Sequence, residues 1–304
     1  MQFYLPPLFN PVQWIYSFSL SAAVKQFLTS LGFLWLLTEV ANFFFPHRTE
    51  VLVSDRPFVF LGLAILHAFW SIRPKTIYRH TLRDRDVDIE IRVVDIFQIR
   101  GDLIVPINDL FQADIGGRMV NAKSVQGSLL RRYYDSVPDR LQADIYAWLE
   151  KFPYEYSTPE NVMLDGMEFK KYPIGSVVPV NANNRKVYLL ANTSINGKGT
   201  ATSCSEDELL QALRSLWVYV STKGSHGHLV IPLIGTQHGR LPLKRQRVVQ
   251  HILRTFVESC ADSSYCKTLT VVIYPPDVKR HRINLNEIND ILQFEATHAY
   301  FTKA

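Results

Sequence analysis

Apolar residues fall into two regimes along this 304-residue chain. Up to about residue 72 they form long runs with no polar face, and beyond that they come in short bursts and helical stripes. The run 25–45 holds about 20 residues, the length a helix needs to cross a hydrocarbon core of roughly 30 Å. The run 57–72 would be only about 24 Å long as a helix, and starting it at Val51 completes a span, with Asp55 and Arg56 at the interface. Both runs are apolar nearly all round, which argues against the alternative of a buried hairpin in a soluble protein. Trp14, Tyr16, Trp35 and Trp70 lie toward the segment ends, as membrane-interface residues do.

Charge orients the hairpin. The connection 46–56 is short and mixed in sign, whereas Arg73, Lys75, Arg79, His80, Arg83 and Arg85 follow the second run. Such a cluster suits anionic lipid headgroups on the cytoplasmic side, which places both termini in the cytoplasm. Glu39 and His67 are expensive inside such helices. They read as polar contacts between helices or protomers, with a pore-lining role as the alternative.

From Asp86 onward the period changes. Ile89 to Val93 alternates like a strand, and Leu103 to Ile107 is a short buried-strand run. The stretches 187–190, 229–234 and 269–274 repeat that character. Ser205 with Glu208 makes a capping box ahead of the stripe Leu209, Leu210, Leu213, Leu216 and Trp217. Val248, Val249, Ile252, Leu253, Phe256 and Val257 form a second stripe, and residues 138–149 a third helix. Strands alternating with helices predict a sheet covered on both faces. The Tyr/Pro-rich remainder of the stretch 135–186, beyond that third helix, reads as an insertion over the sheet edge. Two domains result: a helical hairpin over 1–75 and an α/β domain over 76–304.

Composition removes several function classes. The net charge is +5, yet no basic stripe is interleaved with aromatics, so nucleic acid is not expected as a partner. The three cysteines have neither metal-ligand spacing nor an even disulfide framework, and no metal or cofactor is expected. No charged side chain precedes Lys25, so the N-terminus lacks the basic n-region of a signal peptide.

Three segments carry candidate chemistry. Asp95 and Ile96 follow one strand. The strand 103–107 ends in Asn108 and runs through Phe111 to Gly116 and Gly117, then to Ser124, Val125, Gln126 and Gly127 at a helix start. The strand 230–234 runs into the loop Gly235, Thr236, Gln237, His238, Gly239 and Arg240. A strand leading through a glycine loop into a helix is a phosphate cradle, because glycines admit the anion and unpaired N–H groups donate to it. Two such loops grip a pyrophosphate from both sides, and Asp95 can accept from an exocyclic amine. The second loop lacks the Lys-Ser/Thr of a Walker motif, which argues against nucleoside-triphosphate hydrolysis.

In this order the segments resemble the macro domain over about residues 86–274, apart from the insertion. The resemblance implies a three-layer mixed sheet with helices on both faces, following the transmembrane hairpin. It implies an ADP-ribose-type ligand with adenine at Asp95 and Ile96, the strand end at Asn108, and the phosphates on the two loops. Residues 118–123 depart from the family's first glycine run. Gln126 stands where hydrolytic macro domains place a water-activating aspartate, and an amide is no base. The resemblance therefore implies binding rather than catalysis.

A macro domain behind two transmembrane helices resembles the membrane effectors of bacterial Thoeris anti-phage systems. That implies an inner-membrane protein that senses an ADP-ribose conjugate, such as histidine–ADP-ribose, made by a TIR-domain enzyme. It implies further that ligand drives homo-oligomerisation against membrane lipid and disrupts the bilayer. The rivals are a membrane-tethered ADP-ribosyl hydrolase and a passive ADP-ribose-binding adaptor.

Overall fold

A computed structural model describes the chain except for residues 1–13, 16, 17, 19, 46–56, 74, 76, 114–119, 136, 137, 151–160, 165, 166, 196–201, 203, 225, 236–240, 262, 263 and 299–304. It divides into two compact units, one of residues 1–76 with 278–286 and one of 77–277 with 287–304.

The first unit contains α1 (Leu20–Phe44) and α2 (Pro57–Ser71). Of the described helices, α1 is the one long and apolar enough to cross a membrane, and α2 is a shorter apolar helix. The extension of the second span back to Val51 lies outside the described residues. The two helices pack through small side chains. Ala64, Ala68 and Ser30 are buried, and small residues let helix backbones approach closely. Ser30 Oγ lies 2.6 Å from the Gln26 carbonyl and 2.7 Å from His67 Nδ1. Its single proton goes to the carbonyl, which leaves the oxygen as acceptor for an imidazole N–H. Trp14 stacks on Phe69 with centroids 4.6 Å apart. Glu39 is exposed on α1, and among the described residues it makes no hydrogen bond or ion pair.

The second unit is built on a seven-stranded mixed sheet. Its strands are β1 (Ile77–Thr81), β2 (Asp88–Val93), β3 (Asp102–Asn108), β6 (Val177–Ala182), β7 (Arg185–Thr193), β8 (His228–Pro232) and β9 (Thr268–Ile273), and β4 (Asn161–Leu164) with β5 (Met167–Lys170) forms a separate hairpin. The order is β1-β2-β9-β8-β3-β7-β6. The five central strands are parallel, and β1 and β6 close the edges antiparallel. The helices α3 (Val125–Tyr133), α4 (Pro138–Leu149), α5 (Glu206–Lys223) and α6 (Arg245–Ser259) lie wholly in this unit, whereas α7 (Pro275–Arg280) ends and α8 (Leu285–Thr297) begins in the segment 278–286 assigned to the first.

Alternation along the buried strands places helices on both faces. Leu103, Val105, Ile107, Val187 and Leu189 share one core with Leu129 and Leu130 of α3 and Leu141 and Ile145 of α4. Tyr188, one residue out of phase, meets Tyr219 of α5 edge-on at 6.1 Å. The capping box expected at α5 is present in both directions, at 3.1 Å from Glu208 N–H to Ser205 Oγ and 2.7 Å from Ser205 N–H to Glu208. Trp217 Nε1 donates to Thr255 Oγ1 at 2.9 Å, which joins α5 to α6.

Two expectations change. The stretch 135–186 is not wholly an insertion, because β6 is itself the edge strand and hairpins onto β7 through Asn183 and Asn184, both at positive φ (47° and 61°). Two left-handed residues in a two-residue loop match the sheet twist, and asparagine tolerates that conformation. The basic cluster after α2, expected to face lipid headgroups, also has partners within the sheet domain. Arg79 and His80 belong to β1, where Arg79 pairs with Asp88 and lies 3.5 Å from Glu90, and Arg85 donates to the Ala261 carbonyl. These arginines close the sheet edge.

Candidate functional site

All five parallel strands point their carboxyl ends to one side, and in open α/β sheets ligands occupy the crevice there. The residues that follow β2, β3, β7, β8 and β9 therefore define the candidate site. They are Asp95, Asn108, Ile195, Gly235 and Tyr274.

Asp95 caps the short 3₁₀ turn Ile96–Gln98, accepting from Phe97 N–H at 3.1 Å. Its other oxygen accepts from Arg132, in the last turn of α3, at 2.6 Å. That guanidinium lies over the Phe97 ring, 4.6 Å from its centroid. The Ile96 side chain is in the core, so its backbone is what it offers to the crevice. Val94 N–H donates to the Ile273 carbonyl at 3.1 Å. This contact puts Asp95 and the exposed Tyr274 on neighbouring strand ends.

Asn108 closes β3 at a bulge. Its Oδ1 accepts from the N–H groups of Leu110 and Gln112, both at 3.2 Å. Its Nδ2 is buried and has no hydrogen-bond partner among the described residues. A buried unpaired donor is costly and calls for an explanation. The loop after it is tightly determined. Phe111 has φ 52°, a strained conformation for a bulky residue. Gln142 holds both flanks, donating to the Phe111 carbonyl at 3.1 Å and accepting from Ala113 N–H at 2.8 Å. Gln126 donates to the Gln112 carbonyl at 2.6 Å. The Phe111 ring is buried edge-on to Tyr172, so this residue shapes the crevice from the core.

Asp109, next along, is fully buried. Its N–H donates to the Thr193 carbonyl at 2.9 Å and its Oδ1 accepts from Ile195 N–H at 3.0 Å. Lys171 Nζ stands 3.6 Å from Oδ2. Burial pushes its carboxyl above the usual range, while the Ile195 N–H and Lys171 pull it back.

The helix starts fit an anion cradle. Ser124 caps α3 by accepting from Gly127 N–H at 3.0 Å. A Cβ on Gly127 would sit 2.4 Å from the Asn121 carbonyl oxygen, so only glycine permits this approach. Val125 packs on the core. Gly235 adopts φ 72°, and Leu241 N–H closes back onto its carbonyl at 3.2 Å. α6 starts at Lys244 without a side-chain cap and carries no acidic residue in its first turn. Its first N–H groups and dipole therefore favour an anion. Gly116, Gly117, Thr236, Gln237, His238, Gly239 and Arg240 lie outside the described residues.

Among the described residues no group of His, Cys, Asp or Glu is arranged to hold a metal. The cysteines are buried, and desolvation pushes Cys204 to about 11 and Cys260 to about 12, so both stay protonated at neutral pH. Sequence reasoning did not single out Arg132, Asp109, Gln142 or Tyr274. Tyr274 had a visible signal, an aromatic directly after a buried strand. The other three act through contacts with distant segments.

Residues 89–274 match the family model described as "Thoeris protein ThsA, Macro domain". No curated protein sequence matches the chain. Among solved structures, the Oceanobacillus iheyensis macrodomain with MES bound is 14% identical, with 71% of this chain and 97% of that chain covered and a TM-score of 0.48. The Trypanosoma brucei macrodomain in complex with ADP-ribose is 11% identical, with 69% and 73% covered and a TM-score of 0.44.

Proposed function

The chain belongs to the Thoeris ThsA macro domain family, and from that premise we propose that it is a membrane-anchored sensor of an ADP-ribose-type nucleotide. The observation that carries the reading is the buried Nδ2 of Asn108, unpartnered among the described residues, at the end of β3 beside the central strand β8. A ligand hydroxyl or phosphate oxygen at this strand end would satisfy it. The ligand is an ADP-ribose conjugate made by a TIR-domain enzyme, with histidine–ADP-ribose as the leading candidate. Its phosphates lie on the loops around residues 116–127 and 235–240.

Residues 1–75 form the anchor and residues 76–304 the cytoplasmic sensor. Both α1 and α2 cross the inner membrane, an arrangement supported by their packing through small residues and by the exposed apolar side chains that cover them. Ligand binding drives protomers together, and the assembled hairpins disturb the bilayer. The protein binds without turnover. Gln126, at the position of the hydrolytic aspartate, is an amide already engaged with the Gln112 carbonyl.

Calorimetry on the full chain in detergent tests the reading, with ADP-ribose and histidine–ADP-ribose as ligands. The parent should bind, and Asn108→Ala should bind at least tenfold more weakly, the order expected for losing one hydrogen bond in a desolvated site. Chromatography of the same mixtures should recover the ligand intact. Multiple-turnover cleavage would instead establish the hydrolase reading.

A further inference from the structure

We infer that Asp95 and Arg132 act together as a two-sided reader of a purine edge. The carboxylate accepts from the exocyclic amine, and the guanidinium donates to the ring nitrogen beside it. This rests on the nucleotide-binding reading above, and it adds Arg132 as a specificity-determining residue.

The pair has the required groups unused and side by side. Asp95 receives one hydrogen bond on each oxygen, from Phe97 N–H and from Arg132. A carboxylate has about four acceptor sites, so acceptor capacity remains. Arg132 has five N–H donors, and its one hydrogen bond among the described residues is the one to Asp95. Its plane is fixed by that bond and by the Phe97 ring beneath it. The unused donors are therefore oriented rather than mobile, which makes the guanidinium a better reader than a lysine ammonium at the same place. Both side chains are accessible, at 21% for Asp95 and 47% for Arg132.

A lone carboxylate accepts from any donor and reads no neighbouring acceptor. A carboxylate with an adjoining guanidinium recognises an amine next to an acceptor, the pattern of an adenine edge. Simple structural pairing does not account for the geometry as well. Asp95 already has its local role as the cap of the 3₁₀ turn, and an exposed ion pair adds little to stability. Tyr274 on the neighbouring strand end offers a face for the same ring.

The experiment titrates the full-length protein in detergent with ADP-ribose and with its 1-deaza and 7-deaza analogues. Each analogue replaces one ring nitrogen flanking the amine by C–H. In the parent, one of the two should bind roughly tenfold more weakly than ADP-ribose, as for loss of a charge-assisted hydrogen bond. In Arg132→Ala, that analogue and ADP-ribose should bind equally, and Arg132→Lys should restore only part of the difference. A structural role for Arg132 would shift all three ligands together. The proposal is overturned if both analogues bind the parent as ADP-ribose does, or if the deaza penalty survives in Arg132→Ala. Failure of the parent to bind ADP-ribose at all would remove the nucleotide reading itself, and this proposal with it.

Discussion

The buried Asp109 carboxylate accepts the backbone N–H of Ile195 at 3.0 Å, and this bond ties the carboxyl ends of β3 and β7 together beside the crevice. Lys171, just after β5, approaches the same carboxylate at 3.6 Å, and Tyr172 N–H donates to the Asp109 carbonyl at 2.8 Å. Asp109, through its carboxyl and its backbone carbonyl together, thus anchors three segments of the chain.

This anchor makes a pH signature. Burial raises the Asp109 carboxyl in the folded state, so the folded protein holds that proton more tightly than the unfolded chain. Its contribution to stability is full below the unfolded value of about 4 and is lost as pH rises through the folded value. Asp109→Asn should remove that loss. Melting temperatures of parent and variant should therefore diverge in favour of the variant as pH rises from about 4. Parallel curves would show that the Ile195 and Lys171 contacts cancel the burial effect.

Gly127→Ala should destabilise the sensor domain by about 1–3 kcal/mol, the usual range for overpacking. The new methyl would meet the Asn121 carbonyl oxygen at 2.4 Å and Ala122 Cα at 2.8 Å. Backbone cannot retreat as a flexible side chain does. Chemical denaturation measures the loss, and an unchanged midpoint would mean that the α3 start shifts freely.

Asp95→Ala should weaken nucleotide binding by roughly 1.5–3 kcal/mol, the range for a hydrogen bond to a charged group, while the domain stays folded. The side chain is partly exposed and its pairing with Arg132 is at the surface. Calorimetry beside circular dichroism separates the two effects. Unchanged affinity would reduce Asp95 to the cap of its 3₁₀ turn.

Glu39→Ala should leave ligand affinity intact and blunt membrane damage. Glu39 lies nine residues beyond the buried Ser30, about half a turn round the helix from the face that meets α2. An ionisable group on that outer face is costly in lipid unless a neighbouring protomer covers it. Dye leakage from cells carrying the variants, beside ligand titration, checks both halves. Leakage equal to the parent's would make the carboxylate dispensable to the effector step.

Topology gives a further expectation. On the proposed two-span arrangement with both termini cytoplasmic, a cysteine placed at Glu50 should be labelled by an impermeant reagent on intact cells. Labelling only after permeabilisation would overturn the topology in which both termini are cytoplasmic.

Much of this protein was legible from residue pattern alone, because the relevant physics is local. Period-two and continuous apolar runs marked β2, β3, β7, β8 and β9, and the Ser205–Glu208 box and the stripe after Arg245 marked α5 and α6. Each of those signals is a burial requirement or a cap satisfied within a few residues. The glycines at 127 and 235 were likewise visible, since a close approach and a left-handed turn each demand that residue type. Tertiary structure alone decided the rest. β1 and β6 are edge strands whose arginines, asparagines and proline read as linker until their partners are known. The partners are Asp88 and Glu90 for Arg79, and β7 for β6. The Arg132–Asp95 pair spans 37 residues and the Asp109–Ile195 bond spans 86. Neither leaves a periodic trace, because a contact between segments so far apart is set by how the sheet is ordered and not by the spacing of residues along the chain.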